Sequence, residues 1–386
     1  MLNSFCVAPW VSVSVDVNGS LRPCCQYKQP EEQTTHKLPF LKDDDINELW
    51  NGDEFKKLRK AFINGEYPTE CEWCWRNESK GVSSYRLDHY QSFDFGEVDY
   101  TTEVALPPQY YDLKLSNVCN MKCRICGAQA SSLFLKEMEK VGNIFWKNGD
   151  PEYWLSDKLF NTIHEKSFRE WLPSIKYIEL TGGEPVLSSE NRKLIDVLIE
   201  NDLAKNIKIL MTTNGKIYDD EFIKLLSNFS FVTISLSIDD IKERLNYQRY
   251  PCNWKKMDNN IKKYNQLNKM ENFKVTVNVT VSNLNVFYLE ELVEYLKSVY
   301  FTVPNFNILH DREYHSIRNL HIDIKNILAE KYLDNVKLIP VLKFMVGSGD
   351  DFTRKFLEDM ENFDKIRNQS FKNVFPEWYK LLNEFA

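Results

Sequence analysis

The sequence lacks any long apolar stretch. None of its hydrophobic runs approaches the roughly 20 residues that a membrane-spanning helix needs. The N-terminus also lacks the basic and then apolar pattern of a secretory signal peptide. Because 43% of the 386 residues are hydrophobic, the chain still has enough apolar side chains for two or three buried cores. We therefore expect a cytoplasmic protein with more than one domain.

Histidine is scarce and positive charge is not in excess. The six histidines are scattered without metal-ligand spacing, and no hydrolytic triad is apparent. A formal net charge of −7 disfavours a broad nucleic-acid-binding surface, which requires clustered Lys and Arg. The sequence has no internal repeat and no long low-complexity segment. These absences direct attention to the residue that is abundant, cysteine.

Nine cysteines in a reducing compartment favour metal or redox chemistry over disulfides. Cys119, Cys123 and Cys126 form a C-x3-C-x2-C loop after a strand-like run. Three thiolates can hold three corners of a cubane iron–sulfur cluster; because a complete site uses four cysteines, one iron stays open to a small molecule. Structural zinc is the alternative, although zinc loops usually carry two paired C-x2-C knuckles, a spacing that this loop does not have.

A glycine pair follows the next predicted strand. Gly182-Gly183-Glu184-Pro185 comes directly after the β-prone run 177–181, and two glycines let a backbone approach a ligand closely. Together with the cysteine loop and with residues 212–215 and 234–240, this turn resembles the radical S-adenosylmethionine (SAM) superfamily over about residues 108–310. The resemblance implies a [4Fe–4S] cluster on Cys119, Cys123 and Cys126 whose open iron binds SAM.

The resemblance also implies a set of residues that contact SAM. They lie in the glycine-pair turn, at the ends of later strands and just before the third cysteine: Gly182, Gly183, Glu184, Thr213, Asn214, Ser237, Arg249, Val281 and Ile125. Ile125 stands where relatives often have an aromatic residue beside the adenine, so only apolar or backbone contact is expected there. For Arg249, a surface salt bridge is the alternative to a contact with the SAM ribose or carboxylate.

A second group of cysteines lies in the first hundred residues. Cys6 and Cys24 flank a predicted hairpin with its turn at 16–19, and Cys71 and Cys74 form a C-x2-C pair. A four-thiolate zinc knuckle is compatible with this spacing. Beside a radical SAM core, the pattern resembles a twitch domain, the shortened relative of the SPASM extension, placed before the core instead of after it. The resemblance implies that these four cysteines bind an auxiliary [4Fe–4S] cluster.

Two cysteines remain without a partner motif. Cys25 adjoins a predicted ligand, where it can replace Cys24, donate a proton near the cluster, or simply act as a small buried hydrophobe. Cys252 is expected to be a packing residue.

Strand-like and helix-like segments alternate through the middle of the chain. Strands are predicted at 111–115, 176–181, 207–212, 231–237, 273–281 and 305–309, and helices at 128–140, 188–201, 219–227, 254–267 and 286–299. This alternation predicts βα units and a parallel sheet. The resemblance implies an α/β fold with a partial (β/α)6 TIM-like barrel, whose active site lies at the carboxyl ends of the strands.

We expect three parts in the chain. Residues 1–100 would form the small α+β twitch (SPASM-like) domain, 101–310 the radical SAM barrel, and 311–386 a mainly helical extension. Within it, residues 323–331 and 351–363 are expected to be surface helices whose charges are solvated, and a role in capping the barrel or binding substrate is the alternative.

The function implied by the resemblance is reductive cleavage of SAM to a 5′-deoxyadenosyl radical. We expect this radical to abstract hydrogen from a peptide or protein substrate that is then oxidised, with the auxiliary cluster transferring electrons. The expected electron donor is a flavodoxin or ferredoxin. A small-molecule dehydrogenase acting on a sugar or aminocyclitol is the alternative, and a zinc-binding, non-enzymatic interaction protein a remote one. The sequence assigns no general acid or base.

Overall fold

The described part of the chain alternates helices and strands. The computed structural model describes residues 4–17, 19–28, 45–79, 84–88, 90–141, 166–299, 301, 304–309, 312–347 and 349–386. Its strands are β1 Ser12–Val15, β2 Leu21–Arg22, β3 Tyr110–Leu113, β4 Tyr177–Leu180, β5 Lys208–Thr213, β6 Phe231–Ser237, β7 Phe273–Val281 and β8 Asn305–Ile308. The helices before β5 are α1 Ala8–Val11, α2 Ile46–Trp50, α3 Asp53–Ile63, α4 Glu72–Ser79, α5 Tyr85–Asp88, α6 Ser132–Val141, α7 Lys166–Trp171 and α8 Ser189–Glu200.

The remaining helices alternate with the later strands and then form the C-terminal part of the chain. They are α9 Asp220–Leu226, α10 Lys242–Gln248, α11 Trp254–Gln266, α12 Leu289–Ser298, α13 Ile322–Lys331, α14 Ile339–Met345, α15 Thr353–Arg367, α16 Phe371–Val374 and α17 Pro376–Glu384. Within the described ranges, no helix has both the length and the apolar character required to cross a membrane.

The strands form a sheet in the order β2-β1-β3-β4-β5-β6-β7-β8. Parallel pairing joins β1 to β3, β3 to β4, β4 to β5, and β7 to β8. Strands β3 to β8 are the six that the sequence predicted, and helices separate them along the chain. The predicted α/β class, with a partial TIM-like arrangement, is confirmed.

The N-terminal hairpin extends this sheet. Strands β1 and β2 are antiparallel, and β1 then pairs in parallel with β3, with Ser14 opposite Asp112. Parallel strands require a long connection, which here is the segment from residue 23 to 109 that carries α2 to α5. The sequence predicted the hairpin but not its second partner.

The chain divides into two compact units. The first comprises residues 1–118, 148–211 and 220–232, and the second comprises 119–147, 212–219 and 233–386. The three-part division expected from the sequence, at residues 100 and 310, stays a prediction.

Burial alternates along the long strands. In β7 every second residue from Phe273 to Val281 is fully buried, and the intervening ones are partly or fully exposed. Strand β6 has the same period of two. Such strands have one face in a core, and their ends project polar residues such as Ser237 into the loops that follow.

Candidate functional site

The cysteine loop is held by main-chain hydrogen bonds. After β3 the chain has no regular element until the single turn at residues 128–130. The amides of Lys122 and Arg124 donate to the carbonyls of Tyr250 (2.6 Å) and Gln248 (2.8 Å), at the end of α10. These bonds fix the backbone on both sides of Cys123.

The Cys123 thiol lies within electrostatic reach of the other two thiols of this loop. Burial raises the pKa of the Cys123 thiol above its usual value, and the Cys126 and Cys119 thiols raise it further, although the nearby Arg249 lowers it. Burial likewise raises the pKa of Cys126, where Arg312 and Arg249 oppose the shift. Iron binds the thiolate, so cluster binding at this loop must release protons.

Cationic side chains surround the loop. Arg312 donates to the carbonyl of Arg124 at 3.4 Å and to that of Cys126. The Nζ of Lys216 lies 2.8 Å from the carbonyl of Asn120. Positive charge beside three thiolates favours their ionised form and offsets the negative charge of a thiolate-ligated cluster.

The end of β5 lies against the first cysteine. The Asn214 amide nitrogen is 3.9 Å from the Cys119 sulfur and 2.9 Å from the Asn120 side-chain oxygen. Thr213 is buried, and its hydroxyl accepts a hydrogen bond from the Gly215 amide at 3.2 Å. The structure therefore brings Asn214 to the cysteine loop, whereas the Thr213 side chain stabilises the turn that positions Asn214.

Arg249 forms a buried ion pair. Its Nε donates to Asp239 Oδ2 at 2.7 Å, and its side chain is only 10% exposed, so Arg249 does form a salt bridge, but a buried one instead of the surface one considered as the alternative. Although burial opposes it, the Asp239 carboxylate raises the pKa of Arg249, and the Cys123 thiol adds to this rise. The other Asp239 oxygen accepts from the Thr280 amide at 2.8 Å. Arg249 is thus held near the cysteines by a carboxylate that is itself anchored to β7.

The other predicted contacts have simpler surroundings. Ser237 is the last residue of β6 and is half-buried, as is Ile125 in the cysteine loop. Val281 ends β7 with its side chain buried, and its carbonyl accepts from the Leu309 amide at 2.9 Å. The residue as a whole is buried, so the structure does not present Val281 to a ligand, and its contact with SAM stays a prediction.

The glycine-pair turn packs on the residues that precede Cys119. Gly182 has φ of +102°, a left-handed conformation that favours glycine. The amide of Gly183 donates to the Ser116 carbonyl at 2.9 Å, and that of Glu184 to the Val118 carbonyl at 2.8 Å. A Cβ on Gly183 would lie 2.3 Å from the Val118 oxygen. This close approach explains why the turn needs two glycines. The Glu184 carboxylate is buried, and it accepts a hydrogen bond from the Val186 amide at 3.4 Å.

The four N-terminal cysteines also form a group. Burial raises the pKa of Cys71 far above its usual value, and the Cys24, Cys6 and Cys74 thiols each raise it further. Burial similarly raises the pKa of Cys6 to about 12, with Cys74 contributing. Cys6, Cys24 and Cys71 pack against a core of aromatic and aliphatic side chains that includes Trp10 and Tyr90. Buried thiols in an apolar shell stay protonated. All four can lose their protons and act as ligands only if a positively charged iron centre binds them.

Sequence reasoning missed a polar cluster beside Cys25. Glu179 on β4 and Asp112 on β3 are directly opposite each other. The Tyr110 hydroxyl donates to Glu179 at 2.5 Å, and the Ser14 hydroxyl donates to Asp112 at 2.7 Å. Burial, reinforced by the Asp112 charge, raises the pKa of Glu179 to about 7. Alternation along the two strands was the available signal, because it places both carboxylates on the same face.

The donor sets fit iron–sulfur clusters. In number, the three thiols around Cys123 would suit a cubane with one open iron, and the four thiols around Cys71 would suit a fully ligated cubane. Across the described ranges, no three His, Cys, Asp or Glu side chains are gathered so that they could hold a metal ion. A cubane makes a different demand from a single ion, because each thiolate binds a separate iron.

Comparison with known families identifies two domains. The radical SAM superfamily domain matches residues 113–296, which include the cysteine loop, the glycine-pair turn and Arg249. The SPASM domain, an iron–sulfur cluster-binding domain, matches residues 6–75, which include Cys6, Cys24, Cys71 and Cys74.

Individual relatives are distant. The sporulation killing factor maturation protein SkfB of Bacillus subtilis is 26% identical over 183 residues, which are 47% of this chain and 38% of SkfB. Among solved structures, anSMEcpe with bound AdoMet is 20% identical, with a TM-score of 0.41 over 68% of this chain and 60% of that one. Streptococcus suis SuiB bound to precursor peptide SuiA is 13% identical, with a TM-score of 0.36 over 71% and 62%. The chain thus spans less than two thirds of each of these proteins.

Proposed function

We propose that this chain, an enzyme that belongs to the radical SAM superfamily and carries an N-terminal SPASM domain, oxidatively modifies a peptide or protein. Membership replaces the non-enzymatic zinc interpretation, and it makes a [4Fe–4S] cluster and SAM the cofactors. The observation that carries the proposal is the gathering of Cys119, Cys123 and Cys126 with Arg249 and Asn214.

The roles of the individual residues follow from their contacts. The cluster would be ligated by Cys119, Cys123 and Cys126. Together, the bound cluster and SAM would supply a 5′-deoxyadenosyl radical. Arg249 uses its Nε to bind Asp239, and its guanidinium has two further nitrogens that carry N–H donors. A guanidinium is well suited to bind a carboxylate such as that of SAM. Asn214, next to the Cys119 sulfur, would orient the polar end of the same cofactor.

The glycine-pair turn would meet SAM with its backbone. Its φ values and hydrogen bonds are set by packing on residues 116–118, so the main chain there is already ordered before a ligand arrives. An ordered backbone loses little entropy on binding.

The auxiliary group would transfer electrons. Cys6, Cys24, Cys71 and Cys74 supply four thiolates, which leave no iron open for a substrate. Its apolar shell limits access of water. We assign this centre the role of accepting the electron that remains when the substrate is oxidised, with a flavodoxin or ferredoxin reducing the radical SAM cluster.

The peptide substrate is supported by one likeness. SkfB is named as the maturation protein of sporulation killing factor, and it shares 26% identity with this chain over 183 residues. That aligned part is 38% of SkfB, so the substrate class comes to this chain as a proposal.

Deuterium transfer into 5′-deoxyadenosine tests the proposal. The reduced enzyme would be incubated with SAM and with host peptide extracts in which one amino acid type at a time is deuterated. We expect mass spectrometry to find deuterium in 5′-deoxyadenosine for one or two amino acid labels. Deuterium arriving only from labelled sugars or cyclitols would replace the peptide by the small-molecule alternative.

A further inference from the structure

The longest helix of the C-terminal part reaches the cysteine loop. Solvated charges were expected for residues 351–363 of this helix. Beyond them, Arg367 of α15 has a fully buried side chain and that of Asp364 is 15% exposed. Both residues form ion pairs with the segment that carries or follows the three cysteines. The helix therefore continues past the predicted surface segment with charged side chains that are mostly buried.

Arg124 is the first point of contact. It lies between Cys123 and Cys126, and its side chain is completely buried. Its Nη2 donates to Asp364 at 2.8 Å and to Gln369 at 3.1 Å, and its Nε donates to the Tyr247 carbonyl at 3.0 Å. The guanidinium also stacks on the Tyr247 ring, 3.6 Å from its centroid.

Asp364 joins three segments through one carboxylate. One oxygen accepts from Arg124 and, at 2.8 Å, from the Tyr247 hydroxyl at the end of α10. The other oxygen accepts from the Phe371 amide at 2.5 Å, where α16 begins. Asp364 therefore connects the cysteine loop, α10 and the C-terminal helices.

A second ion-pair network lies on the other side of Cys123. Arg367 donates to both oxygens of Glu137 on α6, at 2.6 and 3.1 Å for the shortest bond to each. Lys122, which directly precedes Cys123, donates to the same carboxylate at 2.6 Å. Thus Arg124 pairs with α15 directly, and Lys122 is linked to it through Glu137.

Burial makes these contacts specific to one position of the loop. A buried guanidinium without its carboxylate is strongly disfavoured, because its charge has lost water and gained nothing in return. The cysteine loop has no helix or strand hydrogen bonds of its own between residues 114 and 127. The side chains at 122 and 124 therefore add to the main-chain bonds to α10 and to the contacts of Arg312, Lys216 and Asn214 in holding its position.

We propose that α15 supports the cluster site through two positioning residues, Asp364 and Arg367. They hold the loop of Cys119, Cys123 and Cys126 in the geometry that the cluster needs. The inference rests on the assignment of these three cysteines as ligands. The two residues act through Arg124 and through Glu137 with Lys122, without touching the cofactor.

The test compares Asp364→Asn with Glu361→Gln, which removes the same charge from an exposed position of the same helix. Amide hydrogen exchange of the cluster-free full chain would be measured over residues 119–131. We expect exchange there to rise at least tenfold in Asp364→Asn and to stay at the wild-type rate in Glu361→Gln. In the reconstituted enzyme, the SAM-induced change in the EPR spectrum of the reduced cluster should be lost in Asp364→Asn and kept in Glu361→Gln.

Equal exchange rates and EPR spectra in the two variants would overturn the proposal. If Asp364→Asn does not fold, Arg124→Lys replaces it, because lysine keeps the charge but cannot make the same set of hydrogen bonds; wild-type exchange and EPR behaviour in Arg124→Lys would then refute the inference. Asp364→Glu should restore at least part of both signals. Since exchange is measured without cofactor, a failure of SAM cleavage in the wild type would count against the proposed function and leave this test intact.

Discussion

At the residue scale, the buried carboxyl pair of Asp112 and Glu179 has surroundings unlike those of a surface carboxylate. Two acidic side chains face each other across neighbouring strands, with the Tyr110 hydroxyl donating to one and the Ser14 hydroxyl to the other. Burial and the Asp112 charge raise the pKa of Glu179 from 4.5 to about 7. Lys114 and the Tyr85 hydroxyl act in the opposite direction. At about pH 7 the Glu179 carboxyl is therefore protonated in roughly half of the molecules.

This pair predicts a pH-dependent effect of Glu179→Gln on stability. Between about pH 4.5 and 7 the folded protein keeps a proton that the unfolded chain releases, so stability falls as the pH rises through this window. Glutamine cannot ionise, so the variant should gain up to about 3 kcal/mol over the wild type at about pH 8 and little at about pH 5. Urea unfolding at the two pH values measures the difference.

Glu200→Gln is the matched control, because Glu200 is an exposed residue at the end of α8. Its effect should not change with pH. An equal effect of Glu179→Gln at both pH values would contradict the raised pKa.

Arg249 offers a second prediction for a single side chain. Arg249→Met removes the partner of Asp239, which is only 1% exposed, and leaves a buried carboxylate uncompensated. We expect a loss of about 3–5 kcal/mol in the free energy of unfolding. Adding Asp239→Asn should recover part of this loss, and anaerobic urea titration of the two single variants and the double variant checks both statements. A double variant no more stable than Arg249→Met would mean that the ion pair is not the source of the loss.

At the residue scale, prediction depended on motifs. Cys119, Cys123, Cys126, Asn214 and Arg249 were proposed from spacing and resemblance; the structure brings Asn214 beside Cys119 and Arg249 near Cys123, and their roles as ligands or cofactor contacts stay predictions. The hydrogen bond from Arg124 to Asp364 joins residues that are 240 positions apart, and no local sequence pattern predicts it. Long-range ion pairs depend on tertiary packing, which one sequence does not reveal.

Among elements, the glycine-pair turn packs closely against the backbone of residues 116–118. We predict that Gly183→Ala will destabilise the protein by at least about 2 kcal/mol, because its Cβ would lie 2.3 Å from the Val118 carbonyl oxygen. Movement of Val118 should also lower iron retention at the adjacent Cys119. Urea midpoints and iron content per chain measure the two effects.

Gly127→Ala serves as the control because it is also next to the cluster loop. There the three atoms nearest to the new Cβ all belong to the side chain of the exposed Gln129, which can move away. Equal losses in the two variants would show that the backbone contact of Gly183 is not decisive.

Helices and strands were likewise predictable from local patterns, whereas pairing between distant segments was not. Strands β3 to β8 were recognised from alternation and β-prone composition, because a half-buried strand imposes a period of two. The parallel pairing of β1 with β3 was not, since a hairpin pattern specifies only the neighbour that follows along the chain. Of the predicted helices, those near 188–201 and 254–267 begin with Ser188 and Asn253, whose side chains cap the first turn.

For the whole molecule, the account requires two separate clusters. Replacing Cys71 and Cys74 with serine should lower the iron content from about eight to about four atoms per chain and leave SAM cleavage intact. Product formation should stop, because the electron from the oxidised substrate would have no acceptor. Loss of SAM cleavage in this variant would contradict an electron-transfer role limited to the substrate side.

The central claim is that Cys119, Cys123 and Cys126 hold a cluster whose open iron takes SAM. Its most direct test is 5′-deoxyadenosine formation by the anaerobically reconstituted, reduced enzyme with SAM, compared with a variant in which these three cysteines are alanine. We predict 5′-deoxyadenosine and methionine from the wild type and neither from the variant. A wild-type enzyme that contains about eight irons and acid-labile sulfide but forms no 5′-deoxyadenosine would contradict the account.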